Sequence, residues 1–340
     1  MMMKRVLLCL GVFFIPQMVC AASIQLSGKT MGTTYHIKVV LPSHISAEDL
    51  KTRIDAQLLS VNQSMSTYLE DSEISRFNQL KTINTPFAVS KGFHKVMTAA
   101  SDIFHRTEGA WDGTIRPLVN LWGFGTGNMI EDIPSESDIK ALLAHVGFDR
   151  IILSKGALTK TSPGITLDLA SIAKGYGVDD VAALLVRQGI DRFLIEIGGE
   201  VFAKGRKENG EAWKVGVNTP RKGAPQGQVY GIVELSDKAM ATSGDYRNFF
   251  ERQGKTYTHV IDPRTGYPVS NGVVSASVIS DTCMMADGLA TAVMVMGREK
   301  GLEMINRMAG TECLIIVGKQ DGSLENTYSS GFHTYAYTRQ

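Results

Sequence analysis

The alternation of apolar and polar positions predicts a chain of mixed helices and strands. Residues 33–41 alternate and are rich in β-branched side chains, which predicts a strand. From Ala47 to Met65 the apolar residues recur at helical spacing behind Ser46, a residue type suited to cap a helix. The same spacing, with its start and stop signals, predicts further helices over residues 92–107, 135–146, 171–188 and 284–296.

The second half of the chain is richer in strand patterns. A hairpin is predicted over residues 246–262, with Gln253-Gly254 at its turn, and residues 203–228 are predicted to be largely exposed loop. Single strands are predicted over residues 192–201 (interrupted by Gly198-Gly199), 213–217, 229–235 and 273–280. Strands and helices do not alternate regularly, so the pattern predicts an α+β fold rather than a doubly wound parallel sheet.

The N-terminus has the pattern of an export signal. Two basic residues precede an apolar run over residues 6–15, and small residues follow. The run is about half of the ~20 residues that a membrane-spanning helix needs. We therefore predict a signal peptide over residues 1–21, either simply cleaved or ending before a lipidated Cys20, and a single domain over residues 22–340. The expected location is the periplasm, with the protein soluble or lipid-anchored to the inner membrane.

Composition excludes several classes of protein. The 340 residues are 44% hydrophobic and carry a formal net charge of +1, which is typical of a globular protein and not of a disordered one. The near-zero charge gives no electrostatic basis for binding nucleic acid. Beyond the signal region the cysteines are Cys283 and Cys313, and whether they form a disulfide is left open by the sequence.

One helix pattern carries candidate metal ligands. Asp287 and Thr291 are four residues apart, so on a helix they share one face. A carboxylate and a hydroxyl are hard oxygen ligands that suit Mg²⁺. The alternative is an aspartate satisfied near a helix N-terminus and a threonine bonded back to its own helix.

Other segments carry candidate binding or proton-transfer groups. The helix that opens after Asp168 would present free N–H groups to an anion, with Lys174 one turn inside, although a capped helix with a solvated lysine is the alternative. The aromatic and glycine residues of 110–114 and 121–125 suit a flat ligand, or a core corner beneath a loop. His259 precedes the turn of residues 262–266 and has a side chain suited to proton transfer near neutral pH.

Taken together, these segments resemble the ApbE family, the FAD:protein FMN transferases. The resemblance covers about residues 25–340. The matching stretches are Lys29–Thr33, Ser66–Tyr68, Arg76–Asn78, Gly109–Asp112, Pro117–Gly125, Asp168–Gly175, Glu196–Gly199, Thr242–Asn248, His259–Gly266, and Ala286-Asp287 with Thr291.

This resemblance implies an enzyme that binds FAD and Mg²⁺, transfers FMN to a threonine hydroxyl of an acceptor protein through a phosphoester bond, and releases AMP. The implied acceptors are subunits of membrane redox complexes, of the NADH:quinone reductase or Rnf type. The implied fold is T-fold-like, with mixed sheets, flanking helices and a flavin cleft between two halves. By position, FAD would contact Met31, Tyr68, Ala110, Trp111, Asp112, Asp168, Lys174 and Ile261. Mg²⁺ would be held by Ser171 (through its carbonyl oxygen), Asp287 and Thr291.

Phosphoryl transfer needs charge neutralisation and positioning more than covalent participation of the enzyme. We predict that His259 is the base that takes the proton of the acceptor threonine, with Asp262 and Asp245 as rivals. Two other functions share the same binding residues. One is an FAD pyrophosphatase that yields FMN and AMP, and the other is a non-catalytic flavin-binding protein.

Overall fold

The computed structural model describes residues 22–125, 132–225, 227–246 and 248–340. The predicted signal of residues 1–21, including Cys20, lies outside the described residues, as does Arg247. Among the described residues, no helix combines the length and apolar character that crossing a bilayer requires.

The chain is built from helices and antiparallel strands. The helices are α1 (Ala47–Met65), α2 (Glu73–Gln79), α3 (Lys91–Arg106), α4 (Arg116–Leu121), α5 (Glu136–Leu143), α6 (Ala170–Arg187) and α7 (Cys283–Asn306). The strands are β1 (Ala22–Thr30), β2 (Thr33–Leu41), β3 (Phe87–Ala88), β4 (Ile151–Ser154), β5 (Ala157–Lys160), β6 (Phe193–Ile197), β7 (Glu200–Lys204), β8 (Trp213–Asn218), β9 (Val229–Leu235), β10 (Lys238–Gly244), β11 (Phe249–Arg252), β12 (Lys255–Thr258), β13 (Val273–Ser280), β14 (Glu312–Gly318), β15 (Leu324–Tyr328) and β16 (Tyr337–Arg339). The predicted α+β class is confirmed.

An eight-stranded sheet in the order β1-β2-β6-β7-β10-β13-β14-β15 forms the centre of the protein. Helices α6 and α7 pack on one face, where apolar side chains of alternate strand positions meet those of the helices. The three-stranded sheet β16-β9-β8 packs on the other face through a separate apolar cluster. The buried helices α6 and α7 thus lie against the middle of the sheet.

Most predicted elements are confirmed at nearly the predicted positions. The strand over residues 33–41 is β2, and α1 spans Ala47–Met65 with the Ser46 hydroxyl accepting a hydrogen bond from the Asp49 N–H. The predicted helices over 92–107, 135–146 and 171–188 are α3, α5 and α6. The predicted hairpin is formed by β11 and β12.

Two predicted elements differ in the structure. The single strand predicted over residues 192–201 is wrong, because Gly198 and Gly199 have φ of 64° and 111° and turn the chain into the hairpin β6–β7. The last helix was predicted to end at residue 296 but continues to Asn306, across a kink where Gly297 leaves helical geometry.

Candidate functional site

Helices α6 and α7 touch through their backbones at Gly175. A Cβ atom at this position would lie 2.7 Å from the carbonyl carbon of Cys283, so only glycine fits there. The Gly175 N–H donates to Oδ2 of Asp287 at 3.0 Å. In the opposite direction, the Asp179 carboxylate accepts hydrogen bonds from the N–H groups of Cys283 (2.8 Å) and Met284 (2.9 Å). Each helix therefore supplies a carboxylate to the main chain of the other.

A lysine lies between two buried carboxylates beside this crossing. The Nζ of Lys174 is 3.2 Å from Oε1 of Glu200 and 3.9 Å from Oδ1 of Asp287. Asp287 and Glu200 are only 3% and 5% exposed, and burial raises the pKa of both carboxyls. Burial opposes the charged form of Lys174, but the two carboxylates outweigh it and raise the pKa of the ammonium. The lysine is therefore charged.

The three predicted metal ligands lie on helices α6 and α7, and Asp287 is the one with a direct hydrogen bond across the crossing. The Trp111 indole N–H donates to Oγ of Ser171 at 2.9 Å, so the Ser171 hydroxyl is engaged by protein. In a regular helix the carbonyl of residue 171 faces the N–H of residue 175, which here donates to Asp287. The Ser171 carbonyl and the Asp287 carboxylate thus lie near the same N–H group. Oγ1 of Thr291 is 3.1 Å from Oγ of Ser243.

This donor set fits a hard divalent cation. The described residues contain no group of three or more His, Cys, Asp or Glu side chains that could hold a metal. The candidate set instead combines one carboxylate, one hydroxyl and one main-chain carbonyl. Among the described residues, Oδ1 of Asp287 accepts no hydrogen bond and keeps its lone pairs. An all-oxygen set with few protein ligands is typical of Mg²⁺, which retains water or substrate phosphate in its remaining positions.

Three of the predicted FAD contacts, Asp168, Lys174 and Met31, lie around the first turns of α6. Oδ1 of Asp168 accepts from the N–H of Ala170 at 2.9 Å, beside Leu169, the N-cap residue, whose side chain makes no cap hydrogen bond. Met31 forms the β1–β2 turn with φ of 50°, and its Sδ would be 3.2 Å from a Cβ at Gly177. A substrate phosphate at the start of α6 would therefore meet Lys174, while the Met31 side chain contacts the same helix one turn further on.

The other predicted FAD contacts are more dispersed. The Tyr68 side chain is 81% exposed, whereas the Ala110 and Trp111 side chains are buried. Asp112 is also buried, which raises its pKa, and its carboxylate accepts hydrogen bonds from Thr114 and from the N–H of Phe148. A cavity of about 360 Å³ lies beside this segment, lined by residues that include Gly109, Asp112, Pro263 and Arg264. FAD contact by these residues stays a prediction.

The side chain of His259 has the protonation state of a base. Its Nδ1 lies 3.1 Å from the main-chain oxygen of Asn248, which can only accept, so Nδ1 carries the proton and Nε2 keeps a lone pair. Burial, aided by the positive charge of Lys174, lowers the pKa of the imidazole despite the Asn248 hydrogen bond. The ring is therefore neutral at pH 7.

The two rival acids have different surroundings. The Asp262 carboxylate accepts three hydrogen bonds from Arg264, at 2.8 to 2.9 Å, and closes the turn that follows His259. Burial raises the pKa of Asp245 to about 6. Ile261, a predicted FAD contact, is 3% exposed and packs in an apolar cluster. The geometry favours His259 over Asp262 as the free base.

The aromatic residues of 121–125 stack on other rings of the protein. Trp122 stacks on Tyr257 at 5.5 Å between ring centroids, Tyr257 on Phe250 at 5.2 Å, and Phe250 on Phe124 at 5.4 Å. Phe124 then meets the edge of His259 at 6.3 Å. The alternative of an aromatic corner in the core is thus the one that the structure supports for Trp122, because these rings hold the β11–β12 hairpin and His259 together.

Cys283 and Cys313 are both free and buried, so they form no disulfide. Burial raises the pKa of both thiols, that of Cys313 to about 12.

No individual role was predicted from the sequence for three residues of the site. Glu200 pairs with Lys174, Ser243 contacts Thr291, and Gly175 sets the distance between the helices. The matching stretch Glu196–Gly199 ends one residue before Glu200. The sequence carries one signal for Glu200. It is an acidic residue at the start of an apolar strand, and a charge buried there requires a partner.

Comparisons with known proteins identify the family. The sequence model of the ApbE family matches residues 31–315. Among curated proteins, the FAD:protein FMN transferase of Vibrio cholerae is 43% identical over 316 residues, which cover 93% of each chain. That of Haemophilus influenzae is 42% identical over 323 residues, covering 93% of this chain and 92% of the relative.

A solved structure supports the same family. The flavinyl transferase ApbE of Pseudomonas stutzeri, in its apo form, superposes with a TM-score of 0.83 at 35% identity, covering 92% of this chain and 96% of that one. Because the family model spans most of the sequence and relatives above 30% identity span nearly all of it, the chain belongs to the ApbE family.

Proposed function

We propose that this chain is an FAD:protein FMN transferase that uses Mg²⁺, places FMN on a threonine hydroxyl of an acceptor protein and releases AMP. The flavin transfer follows from membership of the family. The observation that supports the metal-dependent mechanism is the contact of Asp287 with the opening turns of α6. Its carboxylate lies 3.0 Å from the Gly175 N–H and 3.9 Å from the Lys174 ammonium. Groups that suit a cation and a diphosphate thus meet at one crossing of helices.

Each group at the crossing has a distinct task. The Ser171 carbonyl, the Asp287 carboxylate and the Thr291 hydroxyl would hold the cation. When bound, Mg²⁺ would polarise the oxygens of the FAD diphosphate and offset charge that develops during transfer. Lys174 would bring its ammonium to the same diphosphate and stabilise the leaving AMP phosphate. The N-terminus of α6 would favour the same negative charge.

His259 would remove the proton of the acceptor hydroxyl. Its Nε2 has a free lone pair because Nδ1 donates to the Asn248 carbonyl, and its lowered pKa keeps the ring neutral near pH 7. Asp262 would position the turn beside it through Arg264. The bond formed joins the threonine oxygen to the FMN phosphorus, and the bond broken joins that phosphorus to the AMP phosphate oxygen.

We propose the place of action from the N-terminal sequence pattern and the class of acceptor from the family resemblance. An export signal over residues 1–21 would deliver the enzyme to the periplasm, soluble or held to the inner membrane through a lipid on Cys20. The acceptors would be exported domains of redox complexes of the NADH:quinone reductase or Rnf type, each with a target threonine.

The proposal is tested by incubating the full chain with FAD, Mg²⁺ and such an acceptor domain. Covalent flavin fluorescence on the acceptor band of a denaturing gel, with equimolar AMP, is the expected result. A Thr→Val acceptor is the matched control. Free FMN without labelled acceptor would indicate an FAD pyrophosphatase, and tight FAD binding without AMP release would indicate a flavin-binding protein.

Two variants test the assigned groups. Asp287→Ala should lose activity and Mg²⁺ dependence together, and full activity would rule out the metal site.

His259→Ala should slow transfer by roughly 10²–10⁴-fold while FAD still binds, because a general base contributes about that much. Unchanged transfer in this variant would remove His259 from the mechanism.

A further inference from the structure

Glu200 is a buried acid that the proposed reaction does not yet use. Its side chain faces Lys174, and Oε1 lies 3.2 Å from the Lys174 ammonium. Its second oxygen, Oε2, is buried without a hydrogen-bond partner among the described residues. Burying a carboxylate with an unsatisfied oxygen is costly, so this position is not explained by packing alone.

The β6–β7 hairpin fixes where this carboxylate points. The turn at Gly198-Gly199 makes Glu200 the first residue of β7, opposite Ile197. Phe202, two residues further on and hence on the same face of the strand, packs against the apolar cluster under α6. A Cβ at Gly198 would lie 3.4 Å from Cδ of Lys174, so the turn also borders the lysine stem. The acid and the lysine are therefore held against each other by main-chain geometry.

Two carboxylates lie near the ammonium of Lys174, at different distances. It is at hydrogen-bonding distance from Glu200 and from the Ala170 carbonyl (3.4 Å), but it is 3.9 Å from Oδ1 of Asp287. That distance permits an ion pair and not a hydrogen bond. Glu200 thus holds the ammonium away from Asp287.

We propose that Glu200 is a positioning residue that keeps the Lys174 ammonium from closing to hydrogen-bonding distance of Asp287, so that the Asp287 carboxylate stays available to a divalent cation. The inference rests on the proposed function, because it takes Asp287 as a metal ligand. Without Glu200, Asp287 is the nearest remaining carboxylate for Lys174. A protein ammonium and a metal ion then compete for the same oxygen, and metal affinity falls.

The test is calorimetric titration of Mn²⁺ into the FAD-free full chain, which requires no turnover. Glu200→Gln keeps the side-chain shape and should lower Mn²⁺ affinity about tenfold, within the range of coupling between contacting groups. Lys174→Met should raise affinity above that of the wild type. In the Lys174→Met background, Glu200→Gln should have no further effect, because there is no ammonium left to position.

The double-mutant comparison separates this role from a direct effect of charge. An equal loss of Mn²⁺ affinity on Glu200→Gln with and without Lys174 would overturn the positioning role, since Glu200 would then act on the metal by its own charge. Glu200→Asp keeps the charge on a shorter side chain, so its affinity should lie between those of wild type and Glu200→Gln, and it replaces that variant if glutamine prevents folding. Asp287→Asn tests the metal site itself: unchanged affinity there refutes the proposed site, whatever Glu200 does.

Discussion

Substituting Gly175 with alanine tests whether the spacing of α6 and α7 determines both stability and the site. The new methyl group would lie 2.7 Å from the Cys283 carbonyl carbon and 2.8 Å from Cα of Met284, which are main-chain atoms that cannot rotate away. The helices must therefore separate, and the Gly175 N–H must lose or lengthen its hydrogen bond to Asp287.

The expected loss follows from three contributions. Overpacking costs about 1–3 kcal/mol. Loss of a hydrogen bond to a charged group costs about 1.5–3 kcal/mol. Replacing a helical glycine by alanine returns about 1 kcal/mol. The net destabilisation is about 3 kcal/mol, which for a domain of this length corresponds to a fall in Tm of roughly 4–5 °C.

Differential scanning calorimetry measures this loss, and Gly288→Ala is the matched control. Gly288 is also a helical glycine at a packed position, but the one close contact of a Cβ there is with a side-chain atom, the terminal Cδ1 of Ile103, and the next atoms lie at 3.7 and 3.8 Å. The control should stay within about 1 kcal/mol of wild type. Gly175→Ala should also raise the Mg²⁺ concentration that gives half-maximal transfer. If its Tm equals that of wild type, or if Gly288→Ala is equally destabilised, the backbone contact does not set the spacing.

Three further outcomes are expected. Burial lowers the pKa of His259, so its imidazole stays neutral at pH values down to the ordinary histidine pKa. The rate of transfer should therefore remain level from pH 8 to about 6.5 and fall only in more acid solution. A fall that begins above pH 7 would contradict this. Asp112→Asn keeps one acceptor oxygen but turns an NH2 group towards the donors of the other oxygen, so the free energy of unfolding in urea should drop by about 1–3 kcal/mol. An unchanged midpoint would show that the hydrogen bonds to Asp112 contribute nothing. The thiols of Cys283 and Cys313 should resist a thiol reagent in the native protein and should react, without prior reduction, once the protein is unfolded. Two cysteines that stay unlabelled in the intact mass of the unfolded protein would instead reveal a disulfide.

Elements with a strong local signal were predictable from the sequence. The helix Ala47–Met65 was predicted to the residue because Ser46 provides a side-chain cap and the apolar spacing is regular. The strands β10 and β14 were not predicted. Strand β10 has few β-branched or aromatic residues, and the continuous apolar run of β14 lacks alternation and resembles a helical segment. The sequence shows an interruption of the strand at Gly198-Gly199. That the chain reverses direction there is shown only by the antiparallel pairing of β6 with β7.

Part of the candidate site was also visible in the sequence. Asp287 and Thr291 were identifiable from their spacing on one helix, and Lys174 from its place in an opening turn. Their convergence was not, because Asp287 lies 112 residues beyond Gly175 and only tertiary packing brings them into contact. Glu200 was missed for the same reason, since its partner is on another element and periodicity carries no information about ion pairs between elements.

The reciprocal hydrogen bonds between α6 and α7 limit how this enzyme exchanges its substrate. The N–H of Gly175 in α6 donates to the Asp287 carboxylate of α7, and the N–H groups of Cys283 and Met284 donate to the Asp179 carboxylate of α6. Separating the two helices would therefore break these charge-assisted hydrogen bonds together. We therefore expect a dinucleotide to enter, and its nucleotide fragment to leave, without separation of α6 from α7, so that the groups at the crossing keep their spacing.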